Sequence, residues 1–392
     1  MTKPIDPFEV RVDDAVLDDL RARLRNTRWP AALEDPTWAY GIEQTYLRDL
    51  AQHWLDAYDW RTHEARLNSW PQYRTEIDGQ NIHFYHVPSV VPDATPLILT
   101  HGWPGSVVEF LNLIGPLTDP AAHGGDPRDA FHVVVPSLPG YAFSQPNDAK
   151  GWEPKRTGRA WAELMARLGY DHYGAQGGDW GWFVSHWLAR EDPDHCFAIH
   201  LNLLFAMPPS KEAVAKLSEL PASEREKWER FQAYSGGESG YANIQSTKPE
   251  TLGLGLADSP VAQLGWIAEK FRSWTDCDGS IENVVSRDDL LTNVMIYWIT
   301  NTGASSARFY YEAMRSGALA PQPRLETPVG HACFPKEILA APRPWCETAF
   351  NVVHWTDMPR GGHFPALEQP ELLLNDIRTF FRRFRTPAPT AT

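Results

Sequence analysis

The chain has 392 residues, of which 43% are hydrophobic and 22% charged, a composition that fits a globular protein with a sizeable core and excludes global disorder. Its formal net charge of −14 and the lack of any basic cluster exclude a nucleic-acid partner. Four scattered cysteines, Cys196, Cys277, Cys333 and Cys346, form no metal-binding pair, so we expect reduced thiols and neither a metal nor a cofactor.

The first 70 residues are predicted to form a helical arm. The segment VDDAVLDDLRARLRNTRWP puts apolar side chains on one stripe from Val16 to Leu24 and stops at Pro30, and YLRDLAQHWLDAYDW follows as a second helix. The opening MTKPIDPFEV lacks the apolar core of a signal peptide, and no later stretch approaches ~20 apolar residues. We therefore expect a soluble, cytoplasmic protein without a membrane anchor.

Residues 71–207 change to a β pattern. A hairpin is predicted at Asp78-Gly79, and then the apolar strands TPLILT, FHVVVP, DHYGAQGG and CFAIHL alternate with helices, which is typical of a mostly parallel α/β sheet. Residues 208–321 are helical, and the α/β pattern resumes over 322–392. A helical block between two halves of such a sheet predicts a lid over the carboxyl ends of the strands. The tail RTPAPTAT is expected to fray.

The stretch GGDWG, residues 177–181, lies between a predicted strand and a predicted helix. Small residues around a reactive one in that position match the nucleophile elbow of the α/β-hydrolases, with Asp179 in place of serine. The start of the following helix offers backbone N–H groups to a negative charge. The alternative is that Asp179 is an ordinary helix N-cap.

Three further positions match the same architecture. The loop THGWPGS follows the strand where this fold places an oxyanion donor, so the backbone N–H groups of Trp103 and Trp180 are the predicted pair. His363 stands in a glycine-opened loop after the last strand, in the order nucleophile, acid, histidine. Glu337 is the predicted acid that holds one imidazole nitrogen, and Asp357 is the alternative.

An aspartate nucleophile predicts substitution at a saturated carbon. A carboxylate is ionised at neutral pH and displaces a leaving group directly, which gives an alkyl ester on Asp179. His363 is then free to deprotonate a water that attacks this ester. Epoxides and alkyl halides both fit, but only the alkoxide from an epoxide needs a proton donor. The lid region contains five tyrosines that could supply it: Tyr234, Tyr241, Tyr297, Tyr310 and Tyr311.

Nearly the whole chain resembles the microsomal-type epoxide hydrolases, the branch with a dedicated N-terminal domain. The likeness is carried, in order, by VDDAVLDDLRARLRNTRWP, HGWPGS, GGDWG, ESGYANIQSTKPETLG, SSARFYYE, FPKE and RGGHFPALEQPELL. The resemblance implies an α/β-hydrolase fold and hydrolysis of a small apolar epoxide by water to a vicinal diol, without a cofactor. Membrane-bound members carry an apolar N-terminal anchor, whereas this chain begins at the arm.

The resemblance also implies the roles of individual residues. Asp179 looks like the nucleophile, His363 the base and Glu337 its acid partner, while Trp103 and Trp180 look like the oxyanion-hole backbones. Tyr241 in ESGY and Tyr310 in RFYYE look like the tyrosines that hydrogen-bond the epoxide oxygen. The doubled tyrosine leaves Tyr311 as the alternative, and Tyr310 is preferred because it directly follows Arg308-Phe309.

Two other functions remain open at this point. A haloalkane dehalogenase uses the same nucleophile, but that family often has asparagine where this chain has Trp103. A non-catalytic receptor on the same fold is never excluded by the fold alone, although the complete set of predicted catalytic residues argues against it. The sequence shows no heptad repeat and no obvious apolar patch, and a homo-oligomer stays open as well.

Overall fold

A nine-stranded sheet lies at the centre of the protein in the computed structural model, which describes residues 3–35, 37–145 and 148–385. The strands are β1 (Asp6–Phe8), β2 (Gln72–Ile77), β3 (Gln80–Val87), β4 (Thr95–Thr100), β5 (Phe131–Pro136), β6 (Tyr173–Gly177), β7 (Cys196–Leu201), β8 (Leu325–Cys333) and β9 (Phe350–Asp357). Their spatial order is β1-β2-β3-β5-β4-β6-β7-β8-β9. Pairing is antiparallel from β1 to β5 and parallel from β5 to β9. The mostly parallel sheet predicted from the sequence is confirmed.

Helices connect and cover these strands. They are α1 (Asp14–Arg25), α2 (Gln44–Asp56), α3 (Trp60–Leu67), α4 (Leu111–Thr118), α5 (Pro154–Arg167), α6 (Trp180–Glu191), α7 (Lys211–Ala215), α8 (Ala222–Ala233), α9 (Gly240–Thr247), α10 (Pro249–Asp258), α11 (Pro260–Trp274), α12 (Arg287–Thr300), α13 (Gly303–Ser316), α14 (Arg343–Ala349), α15 (Pro365–Glu368) and α16 (Pro370–Phe381).

The central strands are buried on both faces. Residues 133–135 of β5 are three consecutive valines, all fully buried, as expected for a strand with helices above and below it. A Cβ on Gly174 would overlap the Phe381 ring of α16, whereas one on Gly177 would overlap the backbone of Gly181 in α6. Residues three apart in a strand point to opposite faces, so α6 and α16 cover opposite sides of the sheet.

The strand order creates a crevice at the carboxyl end of β4. This strand lies between β5 and β6. The chain therefore runs from β4 to β5 on one side and later returns to β6 on the other side of β4. The loops that follow β4 and β6 therefore diverge, which in open α/β sheets forms the usual place for a ligand.

The N-terminal arm contributes a strand that the sequence analysis did not predict. β1 pairs with β2 at the sheet edge, and its three residues are too few to show an alternating pattern. Helix α1 ends at Arg25, before Pro30, and buries Leu17, Leu20 and Leu24. Val16, predicted on the same stripe, is instead 39% exposed.

The arm packs against the helices that lie between β7 and β8. Leu47 of α2 contacts Gly265 of α11 at a distance that leaves little room for a side chain there. The His53 ring forms a 2.8 Å hydrogen bond with Asp288 at the start of α12. Through these contacts the arm supports two of the helices above the crevice.

No helix within the described ranges combines the length and the apolar character needed to cross a membrane. Residues 386–392 of the C-terminal tail, which we predicted to fray, lie outside the described residues.

Candidate active site

Asp179 lies in a tight turn between β6 and α6. Its backbone has φ +48° and ψ −127°, a conformation that residues other than glycine rarely adopt. The neighbouring glycines make the turn possible, since a Cβ on Gly177 would overlap Gly181 and a Cβ on Gly181 would overlap the carbonyl oxygen of Thr100. The Asp179 side chain forms no hydrogen bond to the helix it precedes. It is therefore presented at the crevice rather than used as an N-cap.

The loop after β4 supplies a hydrogen bond to the Asp179 carboxylate. The Trp103 backbone N–H donates to Oδ1 over 2.8 Å, and the Trp103–Pro104 peptide bond is cis. A Cβ on Gly102 would overlap the same carboxylate, so glycine is required for this close approach. Trp180, the first residue of α6, directly follows Asp179, and its predicted role as the second N–H donor stays a prediction.

His363 and Glu337 line up behind the carboxylate. His363 Nε2 lies 3.2 Å from Asp179 Oδ2, and its Nδ1 lies 2.8 Å from Glu337 Oε1. Glu337 also accepts the backbone N–H of Ile338 over 2.7 Å, which fixes its orientation. The alternative acid, Asp357, has a side chain that is 72% exposed and lies near Lys227, so it is not the partner of this histidine.

Two carboxylates surround the His363 ring. Burial lowers the pKa of His363, but the charge of Glu337 and the hydrogen bonds to Asp179 and Glu337 outweigh burial and hold that pKa well above its ordinary value of 6.5. The imidazolium form is therefore favoured as long as Asp179 is ionised.

Tyr241 and Tyr310 face Asp179 from the helices above the crevice. The Tyr241 ring on α9 stacks on Trp103 at 4.9 Å, and the Tyr310 ring on α13 meets Trp180 edge-on at 4.6 Å. Both tyrosines are 6% exposed. Tyr311 belongs to a different environment, because its ring lies 3.6 Å from the Arg315 guanidinium. The structure thus brings Tyr310, and not Tyr311, to the predicted site.

A third tyrosine, Tyr234, forms a hydrogen bond with Tyr241. The Tyr234 and Tyr241 hydroxyls are 2.7 Å apart, and Tyr234 is the first residue of a π-helical turn, Tyr234–Glu238, that precedes α9. Burial raises the pKa of Tyr241 well above 10, followed by the effect of Tyr234, so this phenol is protonated at neutral pH. Sequence reasoning named Tyr234 only as one of five lid tyrosines, since spacing does not reveal a π turn.

Glu368 was missed entirely by the sequence analysis. Its carboxyl accepts the backbone N–H groups of Gly362 and Phe364, on either side of His363, and that of Asp276. Burial raises its pKa to about 7 against the lowering effect of these three donors. The only sign of this role in the sequence is a glutamate five residues after the histidine. Such a glutamate cannot be told from an ordinary residue of the following helix.

Neither a metal centre nor a disulfide is visible in the part of the chain that the structure describes. All four cysteines are buried free thiols, and no three His, Cys, Asp or Glu side chains there are grouped to bind a metal ion.

Comparison with known proteins gives matches over nearly the full chain. Residues 5–110 match the family model described as epoxide hydrolase N terminus, and residues 95–235 match the alpha/beta hydrolase fold model. A curated protein of Stigmatella aurantiaca (strain DW4/3-1) is 46% identical, over 97% of this chain and 86% of its own length. Epoxide hydrolase 1 of Oryctolagus cuniculus is 39% identical, over 96% and 88%.

A solved structure shares the architecture as well as the sequence. The structure of Aspergillus niger epoxide hydrolase superposes with a TM-score of 0.85 at 36% identity, over 97% of this chain and 96% of that one. Together with the fold model, this confirms the α/β-hydrolase fold expected from the sequence.

Proposed function

The chain belongs to the epoxide hydrolases, and from this premise we propose that it converts an apolar epoxide and water to a vicinal diol through an alkyl ester on Asp179. One observation carries the proposal: a carboxylate in an elbow, a histidine–glutamate pair behind it and two buried tyrosine hydroxyl groups on the lid side. Of the two substrate classes that an aspartate nucleophile fits, the epoxide is the one that uses both the nucleophile and the proton donors.

The first step is attack on an epoxide carbon. Asp179 Oδ1 is held by the Trp103 N–H, so it becomes the carbonyl oxygen of the ester, while Oδ2 forms the new bond to carbon. The epoxide C–O bond breaks, and the alkoxide takes a proton from Tyr241 or Tyr310. Because an alkyl halide would need no such proton, the tyrosine pair supports an epoxide as the substrate.

The second step is hydrolysis of the ester. Alkylation removes the negative charge of Asp179 from beside His363, and with it one of the causes that raise the histidine pKa. The neutral form of His363, which can accept a proton, therefore becomes more populated at the stage that needs a base. It takes a proton from water, the hydroxide adds to the Asp179 carboxyl carbon, and the C–O bond to the product breaks. Proton return through His363 to the product and to the tyrosinate restores the enzyme.

The first test is removal of the nucleophile and trapping of the ester. We expect Asp179→Ala to abolish diol formation, since no other carboxylate occupies the elbow. We expect His363→Gln to form the ester without hydrolysing it, which mass spectrometry of the intact protein detects as an increase equal to one epoxide. Asp357→Asn is the matched control and should keep normal turnover, because this side chain is exposed.

Two results would contradict this proposal. Diol formation by Asp179→Ala would remove the nucleophile from the mechanism. Release of chloride or bromide from haloalkanes at a rate comparable to epoxide opening would favour dehalogenation.

The surroundings of the site support two finer proposals. The rings of Trp103, Trp180 and Trp274 around the reacting groups favour an apolar epoxide. Four reduced cysteines are compatible with a reducing compartment such as the cytoplasm.

We also propose that residues 71–207 and 322–392 act as the catalytic core, with 208–321 as its lid and 1–70 as its arm.

A further inference from the structure

A small cavity lies beside Asp179 and His363. It has a volume of about 10 Å³, which is close to the space that one water molecule needs. Asp179, His363, Glu109 and Asn202 contribute polar groups to its wall, whereas the substrate-facing Tyr241 and Tyr310 do not line it. The cavity is therefore of water size, has polar side chains in an otherwise largely apolar wall, and contacts both Asp179 and His363.

Glu109 is a buried carboxyl that the mechanism above does not use. It belongs to a short 3₁₀ turn over Val107–Phe110 and is 9% exposed. Its Oε1 occupies the place that a side chain on Gly105 would take, so the carboxyl folds back over the loop that carries Trp103. The Tyr297 hydroxyl donates to the Gly105 carbonyl oxygen over 2.7 Å and holds this loop in place.

Burial keeps Glu109 neutral at pH 7. It raises the pKa of this carboxyl to about 8, against the lowering effects of His363 and of the Ser106 backbone hydrogen bond and with a smaller raising effect from Asp179. Tyr297 holds the same loop through Gly105. Burial, followed by Glu109 and Asp179, raises the Tyr297 pKa well above 10, so its hydroxyl stays protonated. A neutral carboxyl retains a carbonyl oxygen that can accept a hydrogen bond without adding a negative charge beside the nucleophile.

We propose that this cavity binds the hydrolytic water and that Glu109 is the positioning residue which accepts the water's second hydrogen bond. One hydrogen of the water then points to His363 Nε2 and the other to the Glu109 carbonyl oxygen. One of the two lone pairs of the water oxygen then points to the Asp179 carboxyl carbon. This proposal rests on the proposed function and concerns its second step only.

The step is balanced with the groups already described. His363 takes one proton as the water oxygen bonds to the carboxyl carbon, and the second hydrogen stays on that oxygen. Collapse of the intermediate breaks the C–O bond to the product, which takes the proton back from His363. The hydrogen left on the Asp179 carboxyl then passes as a proton through His363 to the tyrosinate, which restores the Asp179 carboxylate. A neutral Glu109 does not oppose the negative charge that develops on the ester oxygen, whereas an ionised one would.

The experiment separates formation of the ester from its hydrolysis. Rapid-quench kinetics with a styrene-type epoxide would be run on the full-length wild type, Glu109→Leu and Glu109→Gln. Glu109→Leu removes the acceptor, so we expect hydrolysis to slow about tenfold, the effect of one lost hydrogen bond, with the rate of ester formation unchanged. Glu109→Gln keeps a carbonyl oxygen and should hydrolyse the ester within about threefold of the wild-type rate.

The dependence of hydrolysis on pH gives a readout that a purely structural role would not affect. In the wild type we expect the rate to fall as pH rises through about 8, because Glu109 ionises beside the developing charge. Glu109→Gln cannot ionise and should lack this fall. This measurement also applies if Glu109→Leu fails to fold.

Hydrolysis at the wild-type rate in Glu109→Leu, or an unchanged alkaline fall in Glu109→Gln, would overturn the proposal. Equal slowing of both steps would also overturn it. Failure of the proposed function is distinguishable from all of these, because no ester would then accumulate in His363→Gln.

Discussion

At the scale of single residues, hydrogen bonds decide which proton is available for the epoxide. A phenol donates one hydrogen bond, so when Tyr234 donates to the Tyr241 oxygen, the Tyr241 proton is left free for another acceptor. Tyr234 therefore acts on the reaction through Tyr241 and should affect ring opening.

This argument predicts the effect of Tyr234→Phe. We expect ester formation to slow about three- to tenfold, the effect of one hydrogen bond to a partly charged group, while ester hydrolysis is unchanged. Stopped-flow tryptophan fluorescence during a single turnover measures both steps. Tyr311→Phe is the matched control and should leave both rates unaltered, because that ring packs on Arg315 outside the site.

A double-mutant cycle tests whether the two tyrosines act together. In a Tyr241→Phe background, Tyr234→Phe should have little further effect on ester formation. Full additivity of the two substitutions would show that Tyr234 does not act through Tyr241.

At the scale of structural elements, the loop that carries His363 is held from two sides. The His363 N–H donates to the carbonyl oxygen of Trp274 at the end of α11, so this loop is tied to a lid helix. Glu368, at the end of α15, accepts the N–H groups of both residues that flank His363. The position of the base thus depends on a carboxyl that contacts neither substrate nor nucleophile.

Substitution of this carboxyl should therefore impair catalysis more than stability. We expect Glu368→Gln to lower kcat about tenfold with KM nearly unchanged, because an amide offers one acceptor oxygen in place of two. Steady-state kinetics and thermal unfolding measure the two effects. Glu371→Gln, on the exposed face of the next helix, is the control, and an equal loss of kcat there would contradict the positioning role.

Residues with a local signature could be predicted from the sequence, and those that act through tertiary contacts could not. Asp179 stands among glycines that its turn requires, and His363 stands in a glycine-opened loop at the expected place in chain order. Glu109, Tyr234 and Glu368 have ordinary helical surroundings in the sequence. Their importance depends on a cavity, a π turn and a loop that exist only after the chain has folded.

At the scale of the whole molecule, a buried polar cluster ties the last helix to the sheet. Asp376 of α16 lies 2.8 Å from His200 on β7 and 2.9 Å from His354 on β9. Burial raises the pKa of Asp376, but its hydrogen bonds to the two histidines and to Thr356 outweigh burial and hold that pKa below its ordinary value of 3.8. The cluster joins three elements that are far apart in the chain.

The depressed pKa of Asp376 predicts how stability depends on pH. Its contribution is fully present above the unfolded-state pKa of about 3.9 and is lost as pH falls from there toward the folded-state value. We expect Asp376→Asn to lower the free energy of unfolding by about 3 kcal/mol at pH 7, with a smaller difference from wild type at pH 3.5. Urea unfolding at both pH values measures this. Glu229→Gln, an exposed substitution, should change neither value, and a constant deficit in Asp376→Asn would contradict the argument.

The burial of the two tyrosines bears on how substrate enters and product leaves. Tyr241, Tyr310 and Trp103 are each at least nine-tenths buried and pack against one another directly above the nucleophile. We therefore expect the helices that carry these rings to move away from the sheet when an epoxide enters and when a diol leaves. Helix α9 is attached to its neighbours by the Trp266 indole N–H of α11, which donates to Gln245, and by Arg315 of α13, which donates to the Ser246 carbonyl oxygen, so an outward movement of α9 requires these two bonds to break. The rate of product release, and with it the sensitivity of kcat to solvent viscosity, would then be a property of α9 rather than of the chemistry beneath it.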